Sequence, residues 1–170
     1  MASRIFGSRA PRPAATDPAG ILWPRRIAVP VRGHPVDEEA LRAACRLARP
    51  ARAEILVLTV LEVARSLPLS ASLEVELAAA EELLGRMEEI AANLDSRART
   101  SVLQAREAGP ALVDEARRWE ADLMVVGLST KAQFGEYSLG PTGEELLRHA
   151  PCRLILIRPP LPEPSQPPGR

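Results

Sequence analysis

Lysine is almost missing from this chain. Among 22 basic residues only Lys131 is a lysine, so Schiff-base or lysine-nucleophile chemistry would rest on one side chain. That side chain falls in a stretch read as a loop, where it makes a poor phosphate clamp. Net charge is missing as well: 22 acidic residues match the basic ones, leaving no overall field to draw in nucleic acid or an anionic membrane. No apolar run approaches the roughly 20 residues that span a bilayer. The N-terminus carries Arg4, Arg9 and Arg12 without the apolar stretch of a signal peptide. A cytoplasmic protein with no membrane insertion and no nucleic-acid partner is expected.

Cysteine chemistry is sparse too. Cys45 and Cys152 lie far apart, with no C-x-x-C and no Cys/His ligand spacing, so neither a disulfide framework nor a metal site is expected. Both read as small core residues. The chain also lacks a Ser/His/Asp order with a nucleophile elbow, a G-x-x-x-x-G-K-[S/T] loop and a carboxylate pair near a base. No catalytic residue is nominated, and the most that enzyme chemistry would amount to is slow ATP hydrolysis. Glu81-Glu82 and Glu88-Glu89 read as the solvated face of a helix. His149, in the last turn of the final helix, suits the negative end of the helix dipole. His34 follows the first strand and is either an anion sensor or a plain loop residue.

What the chain does have is a repeating alternation. Residues 1–24 mix Arg, Ser, Ala, Pro and Gly without apolar period, and residues 159–170 are dominated by proline, so both ends read as disordered tails around a domain at 25–158. The first tail is basic and nearly acid-free, as transit peptides are. The second has Pro-x-x-Pro character suited to a polyproline-binding partner. Between them, short apolar runs alternate with helical patterns, the signature of βα units and a parallel sheet.

The first run is Arg26 to Val31. A helix follows through Val36, Ala40, Leu41, Ala44, Leu47 and Ala48, with Asp37 to cap or charge its first turn and Pro50 to stop it. The second strand, Glu54 to Leu61, is unbroken in its apolar centre and belongs in the middle of the sheet. A long helix is expected from about Ala71 to Arg97. Its stripe of Leu73, Leu77, Ala80, Leu84, Met87, Ala91 and Leu94 suits either a sheet face or a coiled coil. A more polar strand at Thr100 to Arg106 reads as an edge, and Gly109-Pro110 opens a helix reaching Trp119. The strand Asp122 to Gly127, a helix Gly143 to Ala150 and a last strand Cys152 to Arg158 complete the order β-α-β-α-β-α-β-α-β. The expected fold is an open, doubly wound parallel five-stranded sheet of order 3-2-1-4-5, Rossmann-like.

In such a sheet, ligands bind beyond the carboxyl ends of the central strands, where strand order reverses. The loops there are Pro30 to Pro35 and Gly127 to Thr142. The second runs Gly127-Leu128-Ser129-Thr130, nine residues more, then Gly140-Pro141-Thr142 at a helix start. Glycine permits close backbone approach and a helix N-terminus favours phosphate. Thr142 with Glu145 also reads as a capping box.

On these residues the chain resembles the universal stress protein family, whose nucleotide-binding members carry G-x2-G-x9-G-[S/T] between the fourth strand and the last helix. The spacing matches, and the likeness extends from about Arg25 to Arg158, including Ala53-Glu54-Ile55 and His149-Ala150-Pro151-Cys152. The family's pattern implies an adenine nucleotide hydrolase-like fold and ATP or AMP as the possible ligand. Three positions depart from it. Thr130 stands for the second glycine, Pro141 for the phosphate-binding Ser/Thr, and Arg32 for the aspartate that contacts the nucleoside two residues beyond Pro30. Pro141 has no N–H to donate, whereas Arg32 can pair with a phosphate or acidic group. The residues carried over as nucleotide-binding candidates are Pro30, Arg32, Val60, Val126, Gly127, Thr130, Gly140 and Thr142.

The last strand, apolar through Leu154-Ile155-Leu156-Ile157, would lie at a sheet edge, which invites pairing. The resemblance implies a homodimer through Arg153, Leu154, Ile155, Leu156, Ile157 and Arg158. Two functions stay open: a dimeric interaction domain of stress response or regulation with weak or absent nucleotide binding, and an ATP- or AMP-responsive module controlling a partner such as a membrane transporter.

Overall fold

The computed structural model describes residues 24–69, 72–128 and 139–158. Thr130, Lys131, residues 1–23 of the first tail and the whole second tail lie outside the described residues. Among the described residues nine elements alternate: β1 (Arg26–Pro30), α1 (Pro35–Ala51), β2 (Glu54–Glu62), α2 (Glu74–Ala92), β3 (Ala98–Ala105), α3 (Ala108–Arg118), β4 (Leu123–Gly127), α4 (Gly140–His149) and β5 (Arg153–Ile157). The five strands form one sheet in the order β3-β2-β1-β4-β5, every pair parallel. The expected α/β class and strand order are therefore what the structure has.

Alternation within each central strand explains why their sequences are unbroken apolar runs. Ile27 and Val29 of β1, Ile55 and Val57 of β2, and Leu123 and Val125 of β4 join the core beneath α1 and α2. Their neighbours Ala28, Leu56, Leu58, Met124 and Val126 point the other way, into the core beneath α3 and α4. A strand with helices on both faces has no side left for polar residues. β3 and β5, at the two edges, are only partly buried, and Ile155 on β5 is among the exposed large apolar residues.

Several boundaries differ from the sequence reading, each for a local reason. α2 is shorter than Ala71 to Arg97, and its buried stripe is Ala80, Leu83, Leu84, Met87 and Ala91. Leu77 is exposed, since burial along the helix begins only at Ala80. α1 continues one residue past Pro50 and closes on Arg52 in the left-handed region at φ 50°. The clearest correction concerns α4, which begins at Gly140 rather than Gly143. Pro141 fits the first turn, where no N–H is needed, and this moves Thr142 inside the helix, so the Thr142–Glu145 capping box does not form.

The floor of the sheet, at the amino ends of the strands, is clamped by one carboxylate. Asp122 accepts the N–H groups of Arg25 and Arg26 at 2.8 and 2.9 Å, joining the starts of β1 and β4. The Arg26 guanidinium donates to the Trp119 carbonyl, pairs with Glu120 at 2.8 Å and lies 5.9 Å from the Trp119 ring centroid. Both cysteines are free thiols. Burial, and secondarily the Asp122 charge, pushes the Cys152 thiol up to about 11, and burial raises Cys45 too. These are packing residues, not nucleophiles.

Candidate ligand cleft

At the opposite pole, the carboxyl ends of β1 and β4 splay apart toward α1 and α4, as a parallel sheet does where its strand order reverses. A cleft of about 80 Å³ opens there. Pro30, Val31 and Arg32 form one side, Leu58 and Val60 of β2 and Ala108 and Leu112 of α3 another, and Val126, Gly127 and Leu128 the back. Thr142 and Gly143 of α4, with Leu139 just before it, close one end, and Asp37 of α1, with His34 just before that helix, the other.

Asp37 organises the β1–α1 loop. Its side chain is buried, and Oδ2 accepts the backbone N–H of Arg32 at 2.7 Å and of His34 at 2.9 Å. A buried carboxylate is tolerable only with such charge-assisted partners. Its other oxygen faces Gly127. A Cβ on Gly127 would lie 3.0 Å from Asp37 Oδ1 and 2.9 Å from the Val36 carbonyl oxygen, so the glycine is what lets α1 approach the end of β4. Gly140 occupies φ 67° at the start of α4, a conformation that strains any residue with a side chain.

A second carboxylate stands at the mouth. Glu62, the last residue of β2, accepts the Ala108 N–H at the start of α3 through Oε1 at 2.9 Å. Its Oε2 receives Nη2 of Arg32 at 3.5 Å. The wall behind it is braced by Arg106, whose guanidinium donates to the carbonyls of Val63 and Ala64, and by Arg65 paired with Glu107 at 3.1 Å.

Of the residues singled out by sequence, Pro30, Arg32, Val60, Val126, Gly127 and Thr142 meet around this cleft. Gly140 sits next to it at the head of α4, and Thr130 lies outside the described residues. Sequence reasoning gave Asp37 a helix-cap duty but not its place in the cleft, and it passed over Glu62. Among the described residues, no group of three or more His, Cys, Asp or Glu side chains is placed to hold a metal ion. No helix of the described residues is long and apolar enough to cross a membrane.

The model of the universal stress protein family matches residues 24–158. This chain belongs to the universal stress protein family. It is 26% identical over 142 residues to a universal stress protein of Methanocaldococcus jannaschii, a match covering 80% of this chain and 83% of that relative. In three dimensions it resembles a universal stress protein of Archaeoglobus fulgidus, with TM-score 0.65, 20% identity and coverage of 79% of this chain and 97% of the other. It also resembles a universal stress protein from Archaeoglobus fulgidus solved in complex with dAMP, with TM-score 0.62, 18% identity and coverage of 79% and 98%. At these identities the likeness to the solved structures is one of fold. The universal stress protein fold places this chain's own cleft, lined by Arg32 and Asp37 and with Glu62 bonded to its lining residues Arg32 and Ala108, where the strand order reverses.

Proposed function

We propose that this universal stress protein acts mainly as a stress-response or regulatory module, a dimeric interaction domain whose cleft holds nucleotide weakly or not at all. The observation that carries the reading is that the chain's own carboxylates already take the donors at the cleft mouth. Asp37 holds the N–H groups of Arg32 and His34, and Glu62 holds that of Ala108 and pairs with the Arg32 guanidinium. An anionic ligand arriving there meets two negative charges and donors already in use. Pro141 removes one more N–H from the first turn of α4. The interaction surface in this reading is β5, whose outer edge has no strand partner among the described residues and whose Ile155 is exposed.

A second reading has its own support. Six of the eight nucleotide-binding candidates line one cleft, and a fold relative from Archaeoglobus fulgidus is complexed with dAMP. In that reading ATP or AMP occupies the cleft and its presence controls a protein partner such as a transporter, with the chain itself in the cytoplasm.

Two measurements separate them. The purified protein is denatured and its supernatant scanned near 260 nm for released nucleotide, and the protein is titrated with ATP, AMP and cyclic nucleotides by calorimetry. The interaction-domain reading expects no co-purified nucleotide and no saturation below about millimolar ligand, a binding free energy weaker than about −4 kcal/mol. Saturation in the micromolar range would overturn it in favour of the second reading.

A further inference from the structure

Glu62 is the charged group at the cleft mouth that no motif accounts for. It ends β2 with its two oxygens divided between two neighbours: Oε1 receives the Ala108 N–H at 2.9 Å and Oε2 the Arg32 guanidinium at 3.5 Å. The Ala108 N–H belongs to the positive end of α3, a helix of 11 residues. Glu62 thus sits between a helix N-terminus and Arg32, the one Arg or Lys among the described residues that line the cleft, a place that also suits a ligand's anionic group.

We propose that Glu62 is an internal anion that competes with ligand for Arg32 and sets the affinity of the cleft for anionic ligands. The inference rests on the reading of a weakly binding cleft and supplies its cause. The Arg32–Glu62 contact is a long one between partly exposed side chains, with 58% and 45% of their surfaces accessible. Such pairs contribute little to stability, so a ligand phosphate can displace the carboxylate from the guanidinium. Displacement does not carry Glu62 away, because Oε1 stays tied to α3. The retained negative charge then lies within a few ångströms of the incoming phosphate and repels it. A phosphate-bearing ligand is therefore opposed twice, by competition for Arg32 and by repulsion. An uncharged ligand such as a nucleoside is opposed by neither.

The Glu62→Gln substitution tests this, since the amide oxygen keeps an acceptor for the Ala108 N–H while the charge is removed. Full-length parent, Glu62→Gln, Arg32→Ala and the Arg32→Ala/Glu62→Gln double variant are titrated with AMP, ATP and adenosine, with circular dichroism and melting curves to establish folding. Glu62→Gln is expected to bind AMP and ATP about fivefold or more tightly than the parent, to leave adenosine unchanged and to lose the part of its gain that comes from competition when Arg32 is also removed. The proposal falls if Glu62→Gln shows no gain for AMP or ATP, if adenosine gains equally, or if the gain is undiminished without Arg32. These outcomes are separate from the fate of the weak-binding reading, which is decided by the parent alone: micromolar binding by the parent removes that reading whatever Glu62→Gln does.

Discussion

Gly127 shows how a single absent side chain shapes the cleft. With 2.9 Å from a hypothetical Cβ to the Val36 oxygen and 3.0 Å to Asp37 Oδ1, even alanine pushes α1 off the end of β4. Gly127→Ala is expected to destabilise the fold by about 1–3 kcal/mol, read as a lower urea midpoint at unchanged slope. A loss under about 0.5 kcal/mol would show that the start of α1 moves freely. The glycine itself was legible in sequence, an apolar strand ended by Gly at a fixed spacing from Gly140, but it was read as room for a ligand, and the contact with α1 that it permits was not foreseen. Asp37 was half legible: an acidic residue in the first turn announces a cap, but not that its carboxylate reaches back to Arg32. Glu62 was not legible at all. Its partners are 30 and 46 residues away in sequence, and nothing local marks the final residue of a strand as a cleft residue.

Among the elements, α2 separates what a stripe promises from what a sheet covers. Seven apolar positions at helical spacing suggested one continuous face from Leu73 to Leu94, yet burial begins only at Ala80. Truncating Met87, 3% exposed, to alanine is expected to cost about 2–5 kcal/mol. Leu77→Ala, at 40% exposure, should stay within about 0.5 kcal/mol of the parent. Equal losses at the two sites, measured by chemical denaturation, would mean that the start of the helix is covered in solution. The central strands were legible nearly to the residue, since two-sided burial writes itself as an unbroken apolar run. α4 was not, because two signals compete over the same residues. Thr142 and Glu145 form a good capping box on paper, but Gly140 at φ 67° followed by Pro141 starts the helix earlier.

At the scale of the whole sheet, two edges are left without a further strand among the described residues, and they differ in chemistry. β3 is polar at four of its eight positions, Arg99, Thr100, Ser101 and Gln104, whereas β5 is apolar at four of its five. A domain that pairs with a copy of itself along β5 covers the second edge. The parent is expected to run at dimer mass by light scattering at micromolar concentration, and Ile155→Lys at monomer mass with an unchanged circular dichroism spectrum. A parent of monomer mass would remove β5 pairing from the proposed function.

Because every strand of the sheet points the same way, the two ends of the described chain leave from opposite poles. Pro24 precedes β1 at the floor, beside the Asp122 clamp, while Ile157 ends β5 next to the cleft, its carbonyl accepting the Leu128 N–H at 2.7 Å. A fluorescent reporter or surface tether joined ahead of Pro24 would therefore stand clear of the cleft. One joined just after Arg158 would crowd it, which makes the amino side the place to attach a probe when ligand access is the thing being measured.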